Sequence, residues 1–118
     1  MTTIEATFEI TRWEAAPYDE PAEGPPSSRI VVGKTYAGPL AGESVAELLT
    51  AGELAYVANE RVTGTLDGRS GTFVLQHGAR EGGQWGYVVP GSGTGELAGL
   101  RGTAVLDHGT IALDYELS

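Results

Sequence analysis

Gly91-Ser92-Gly93-Thr94-Gly95-Glu96-Leu97-Ala98-Gly99-Leu100-Arg101-Gly102 carries five glycines among small and polar residues, and strand-like segments flank it on both sides. Two shorter versions of its pattern lie upstream. Gly38-Pro39-Leu40-Ala41-Gly42 and Gly64-Thr65-Leu66-Asp67-Gly68 share Gly-x-Leu-x-Gly with Gly95-Glu96-Leu97-Ala98-Gly99, and Gly71-Thr72 and Gly102-Thr103 fall at matching offsets. Glycine permits positive φ and close backbone approach. A leucine held between two such glycines is placed to plug the end of a β-structure while the chain reverses. The stretch therefore reads as the most elaborate of three end connections. The full phosphate-loop patterns are not met: there is no Gly-Lys-Ser/Thr ending, no dinucleotide fingerprint and no following helix of useful length. One helical turn around Glu96 to Leu100 fits, with Glu96 as its cap.

Outward from this stretch, periods of two dominate. Thr3 to Trp13 places Ile4, Ala6, Phe8 and Ile10 on one side and Thr3, Glu5, Thr7, Glu9 and Thr11 on the other, with Trp13 on the polar side. Such alternation is a strand with one wet face. Arg29 to Ala37, Glu53 to Thr65, Thr72 to Arg80, Gln84 to Val89, Thr103 to Leu106 and Thr110 to Leu117 read the same way. Glu43 to Thr50 suits strand or helix; its shortness and context favour strand, with either Ala46 and Leu48 or Val45 and Leu49 inward. Glu14 to Ser28 holds four prolines and reads as an irregular acidic loop, either a plain solvated connection or a lid anchored by Trp13 and Tyr18. Eight mostly antiparallel segments in sequence order predict one all-β domain over residues 1–118. A closed eight-stranded meander barrel is the economical form, since closure removes exposed edges. A two-layer sandwich is the alternative.

Composition narrows the function classes. Eighteen glycines in 118 residues is about twice the usual ~7%, which suits many short strands and tight turns. Sixteen acidic against seven basic residues give a net charge of −9. That balance offers no footprint for nucleic acid and disfavours anionic membrane surfaces. With no cysteine, disulfides and thiolate chemistry are excluded, which fits a cytoplasmic protein. Met1 to Glu9 lacks the basic start and apolar run of a signal peptide.

Chemistry-bearing residues are few. His77 shares a face with Phe73 and Leu75, and His108 sits beside Asp107 in the final turn. Neither belongs to a metal-ligand motif. Glu60 and Arg61 lie within a strand and occupy opposite faces. A buried Glu60 is a candidate general acid or base. Most such residues are core, surface or structural ion-pair positions, so these remain candidates only.

Two long segments, Arg61 to His77 and Val88 to Gly102, resemble a bacterial family of small uncharacterised proteins named domain of unknown function 3224. The opening Ala6 to Glu14 and the terminal Leu113-Asp114-Tyr115 are similar to it as well. The resemblance implies a closed barrel of the allene oxide cyclase-like, calycin-like type, and self-association as a homo-oligomer. It implies no reaction, and no catalytic residue is carried over from related cyclases or dirigent proteins.

Two functional readings follow. In the first, the interior binds a small apolar or amphipathic molecule against Tyr56, Phe73, Trp85 and Tyr87, with His77 nearby. In the second, the same cavity is a cofactor-independent cyclase or isomerase: Glu60 or His77 moves a proton, and Arg61 or a tyrosine stabilises developing charge. A purely structural oligomer with a packed interior is the third possibility. No cofactor or metal is expected in any of them.

Overall fold

The computed structural model describes residues 1–118. Its eight strands run in sequence order: β1 (Thr2–Asp19), β2 (Ser27–Ala37), β3 (Leu40–Ala51), β4 (Ala55–Leu66), β5 (Arg69–Arg80), β6 (Gly83–Val88), β7 (Leu100–Asp107) and β8 (Thr110–Leu117). A single 3-10 turn, Gly95–Leu97, separates β6 from β7. Each strand pairs antiparallel with the next, and β1 returns to β8 through the register Thr2↔Tyr115 to Thr7↔Thr110. No helix is long and apolar enough to cross a membrane.

The closed eight-stranded meander barrel expected from the sequence needs correction. The strands form an eight-stranded antiparallel sheet with ring-like hydrogen bonding, but the ring is complete over only part of its height. Above Thr7 the ladder to β8 stops, after one further bond from Phe8 N–H to the Gly109 carbonyl. The rest of β1 pairs only with β2, out to Asp19↔Ser27. On the other flank β6 meets β7 through a single bridge, Tyr87↔Thr103. The upper half is therefore an open, flared sheet, and the molecule measures 49 × 27 × 24 Å.

The acidic loop is also shorter than predicted. Glu14 to Asp19 continues β1, and only residues 20–26 connect it to β2. Pro17 is the one proline within β1, tolerated because this part of the strand is an edge, where a missing N–H removes no second ladder bond; Pro21, Pro25 and Pro26 lie in the connection. Thr11 is an extra residue between Ile10↔Lys34 and Arg12↔Gly33. Such a bulge shifts the alternation by one. Trp13, expected on the polar side, thus pairs with Val32 and joins the face of Phe8 and Ile10.

The Gly91 to Gly102 stretch replaces a missing strand beside the lower half of β5. Ser92 Oγ accepts from Val74 N–H at 3.0 Å, Thr94 Oγ1 from Thr72 N–H at 3.1 Å, and Glu96 Oε1 from Ser70 N–H at 3.0 Å. Side-chain oxygens on alternate residues thus satisfy alternate donors of β5, along an edge that is exposed at Ser70 and only partly buried at Val74. Glu96 serves the neighbouring strand rather than its own helical turn.

The three Gly-x-Leu-x-Gly leucines seal the lower end as expected. Leu40, Leu66 and Leu97 are each at most 1% exposed and belong to one core cluster with Phe73, Leu100 and Leu113. Leu40 opposes Leu66 across β3 and β4. In β3 it is Ser44, Ala46 and Leu48 that face inward, while Val45 and Leu49 face solvent.

Candidate functional site

Lys34 is the only lysine in the chain, and it lies on an apolar strand face between Val32 and Tyr36. Its ammonium is buried. It sits 4.4 Å from the Phe8 ring centroid and 3.0 Å from Glu60 Oε1. Register explains the meeting. Lys34 opposes Ser44, and Ala46, the next inward residue of β3, opposes Glu60. Two charges on inner faces of strands separated by one neighbour reach each other across it.

Glu60 is completely buried and accepts four hydrogen bonds. Tyr36 donates to Oε2 at 2.7 Å and Ser44 at 2.6 Å; Lys34 and His77 Nε2 reach Oε1 at 3.0 and 2.9 Å. Burial by itself raises the carboxyl pKa. The bond from His77, the charge of Lys34 and the bonds from Ser44 and Tyr36 outweigh it, leaving the group lowered from 4.5 to about 2. An ionised carboxylate only accepts, so His77 Nε2–H is the donor. In the neutral imidazole Nδ1 is then an acceptor, and the Tyr56 hydroxyl, 3.0 Å away, donates to it. Burial, then the nearby negative charge of Glu60, raises the Tyr56 pKa and keeps its phenol protonated. The result is a directed chain, Tyr56 to His77 to Glu60.

This chain ends at a cavity of about 1020 Å³ in the flared upper half. Phe8, Ile10, Trp13, Ile30, Val32 and Leu48 supply apolar walls, while Lys34, Tyr56 and His77 supply polar lining. Glu53, Glu81 and His108, in turns, and Arg80 and Asp107, at the strand ends beside them, line it as well. No cluster of three or more His, Asp or Glu side chains is placed to hold a metal ion.

The residues singled out from sequence separate clearly. Glu60, His77 and Tyr56 come together. Arg61 points to the exposed outer face, opposite Val45 and Val74, and does not reach the cavity. Phe73 is packed into the sealed lower core. Trp85 and Tyr87 stack on each other outside the sheet, with ring centroids 5.9 Å apart. The inward positions of β6 are Gln84, Gly86 and Val88, opposite Ala79, His77 and Leu75. Aromatic content suggested the wrong face of β6: Gly86 opposes the inward His77, and a Cβ there would also meet the Ala104 carbonyl oxygen at 2.6 Å. Lys34, Tyr36 and Ser44 are the residues that sequence reasoning missed. The available signal was a lysine and a glutamate interrupting two otherwise apolar faces.

The lowered Glu60 pKa sets the sign of an acid response. The folded state binds this proton less readily than the unfolded chain, so Glu60 stabilises above pH 4.5 and loses that contribution as pH falls toward 2. Between pH 7 and pH 3 the loss is about 2 kcal/mol. Carbon-detected NMR of the Glu60 carboxyl is expected to show no inflection from pH 7 to 3.5; a midpoint near 4.5 contradicts the network.

A family model described as "Protein of unknown function (DUF3224)" matches residues 4–118. Among solved structures, a protein of unknown function from the DUF3224 family of Shewanella oneidensis MR-1 is 32% identical, covering 100% of this chain and 98% of its own with a TM-score of 0.81. A search of curated proteins finds no match. The matches are to this family, and the ring described above is open over half its height. The allene oxide cyclase-like, calycin-like closed barrel is therefore set aside.

Proposed function

Because the chain belongs to the DUF3224 family, whose description assigns no activity, we propose from the cavity itself that the protein binds a small amphipathic molecule. One observation carries this reading: a single cleft has apolar walls and a few convergent polar groups at its base. That is the general make-up of a small-molecule site. An apolar body would lie along Phe8, Ile10, Ile30 and Val32, and a polar end would meet Lys34 and Tyr56.

Trp13 is 57% exposed although it faces the cleft. A ligand lying on it removes much of that surface from water, which stabilises binding by about 1–2 kcal/mol. Titration with 2-decanone, followed by calorimetry, is therefore expected to show saturable one-to-one binding that weakens about tenfold in Trp13→Ala. Trp85→Ala, on the outer face, is expected to leave the affinity unchanged. Absence of saturable binding, or equal loss in both variants, rejects the cleft as the site.

A further inference from the structure

The base of the cleft is chemically asymmetric. The Lys34 ammonium has three N–H groups and gives one to Glu60. It faces the cleft as a donor. The one proton of Tyr56 is directed at His77 Nδ1, so its oxygen faces the cleft as an acceptor. Behind it, His77 can take a second proton, because the resulting imidazolium would lie 2.9 Å from the ionised Glu60. A hydroxyl backed by an imidazole and a buried carboxylate is the arrangement that moves a proton at the hydroxyl oxygen.

Charge narrows the ligand. Lys34 is already compensated by Glu60 at contact distance. The mouth adds Glu53, Glu81 and Asp107 against Arg80, on a chain of net charge −9. A carboxylate gains little here and is repelled on approach. A neutral oxygen acceptor is not.

We infer that the cleft is a proton-transfer site for neutral carbonyl compounds bearing an α-hydrogen. This rests on the binding reading above. The carbonyl oxygen accepts from Lys34 Nζ. The α-C–H bond breaks and its proton passes to the Tyr56 oxygen, as the phenolic proton moves to His77 Nδ1. The C–H electron pair becomes the enolate double bond, and the carbonyl π pair moves onto the oxygen beside the ammonium. Return of the proton by the reverse relay, to the same carbon or to a conjugated one, restores His77 and leaves exchanged substrate or its double-bond isomer. No oxidant, reductant or metal enters the balance. Tyr56 and Lys34 are the catalytic residues, and Glu60 is a positioning residue.

The test uses the intact protein in D2O with 2-decanone, reading deuterium at the α-carbons by NMR. The wild type is expected to accelerate incorporation at least tenfold over buffer, and to bind 2-decanone at least tenfold tighter than decanoate. Tyr56→Phe is expected to bind within threefold of wild type and to lose the acceleration. Arg61→Ala, on the outer face, is expected to retain it. Saturable binding with no acceleration overturns the proton-transfer inference and leaves the binding reading standing; no binding overturns both. Undiminished exchange in Tyr56→Phe overturns the relay. A reduced covalent adduct on Lys34 after cyanoborohydride treatment overturns its role as hydrogen-bond donor in favour of an iminium.

Discussion

Replacing Glu60 by alanine is expected to unfold the protein or to destabilise it by at least the ~3–5 kcal/mol of a broken buried ion pair. The substitution removes one side chain but strands four. Lys34, 7% exposed, has Glu60 as its only anionic contact, so its ammonium is left buried without a counter-charge. Tyr36 and Ser44 lose the acceptor they share, and His77 loses the partner that fixes its orientation. Each unsatisfied polar group adds about 1–3 kcal/mol. The Glu60→Leu, Lys34→Met double variant removes both charges together and is expected to be more stable than Glu60→Ala, because no buried charge remains unpaired. Urea unfolding followed by Trp fluorescence measures both. An unfolding free energy for Glu60→Ala within 1 kcal/mol of wild type would show that water already reaches this network.

Gly64→Ala is the second large effect, and it acts through space rather than charge. A Cβ at Gly64 would lie 2.0 Å from the Ala41 carbonyl oxygen and 2.9 Å from Gly42 Cα, all of it backbone. Gly42 sits directly opposite, and its own Cβ would meet the Thr63 carbonyl oxygen at 2.2 Å. Neither strand can yield without moving Leu40 and Leu66, the facing pair two residues further on that seals the lower end. A loss of ~3 kcal/mol or more is expected, at or beyond the top of the overpacking range. Gly68 is the internal control. It has open space around its Cβ position but a φ of +84°, so Gly68→Ala is expected to cost only about 1–2 kcal/mol. Equal effects at the two positions would mean that both glycines of the motif serve backbone conformation alone.

These two glycines mark what could be read from the sequence. The Gly-x-Leu-x-Gly repeats identified Leu40, Leu66 and Leu97 as end seals, and clean alternation fixed both faces of β8. Glu60, His77 and Tyr56 were legible as candidates because they lie on faces that are otherwise apolar. Three things were not legible, each for a physical reason. The bulge at Thr11 turns Trp13 inward by adding one unpaired residue, and no local propensity announces it. Pro17 read as part of the loop that does hold Pro21, Pro25 and Pro26, because an edge strand tolerates a proline only where no further strand follows. Lys34 could be assigned to the site only with the pairing register, since its counter-ion is 26 residues away on a strand that does not touch its own.

The pairing of β1 with β8 has a consequence for biosynthesis. Thr2 to Thr7 cannot complete its ladder until Thr110 to Tyr115 has left the ribosome. Until then the nascent chain presents an incomplete sheet, with Ile4, Ala6 and the facing leucines uncovered and β1 lacking its second neighbour. Closure is thus a late, non-local event, of the kind that slows folding and exposes strand edges to other chains. The high negative charge on the outward residues keeps such intermediates apart while the last strand is being made.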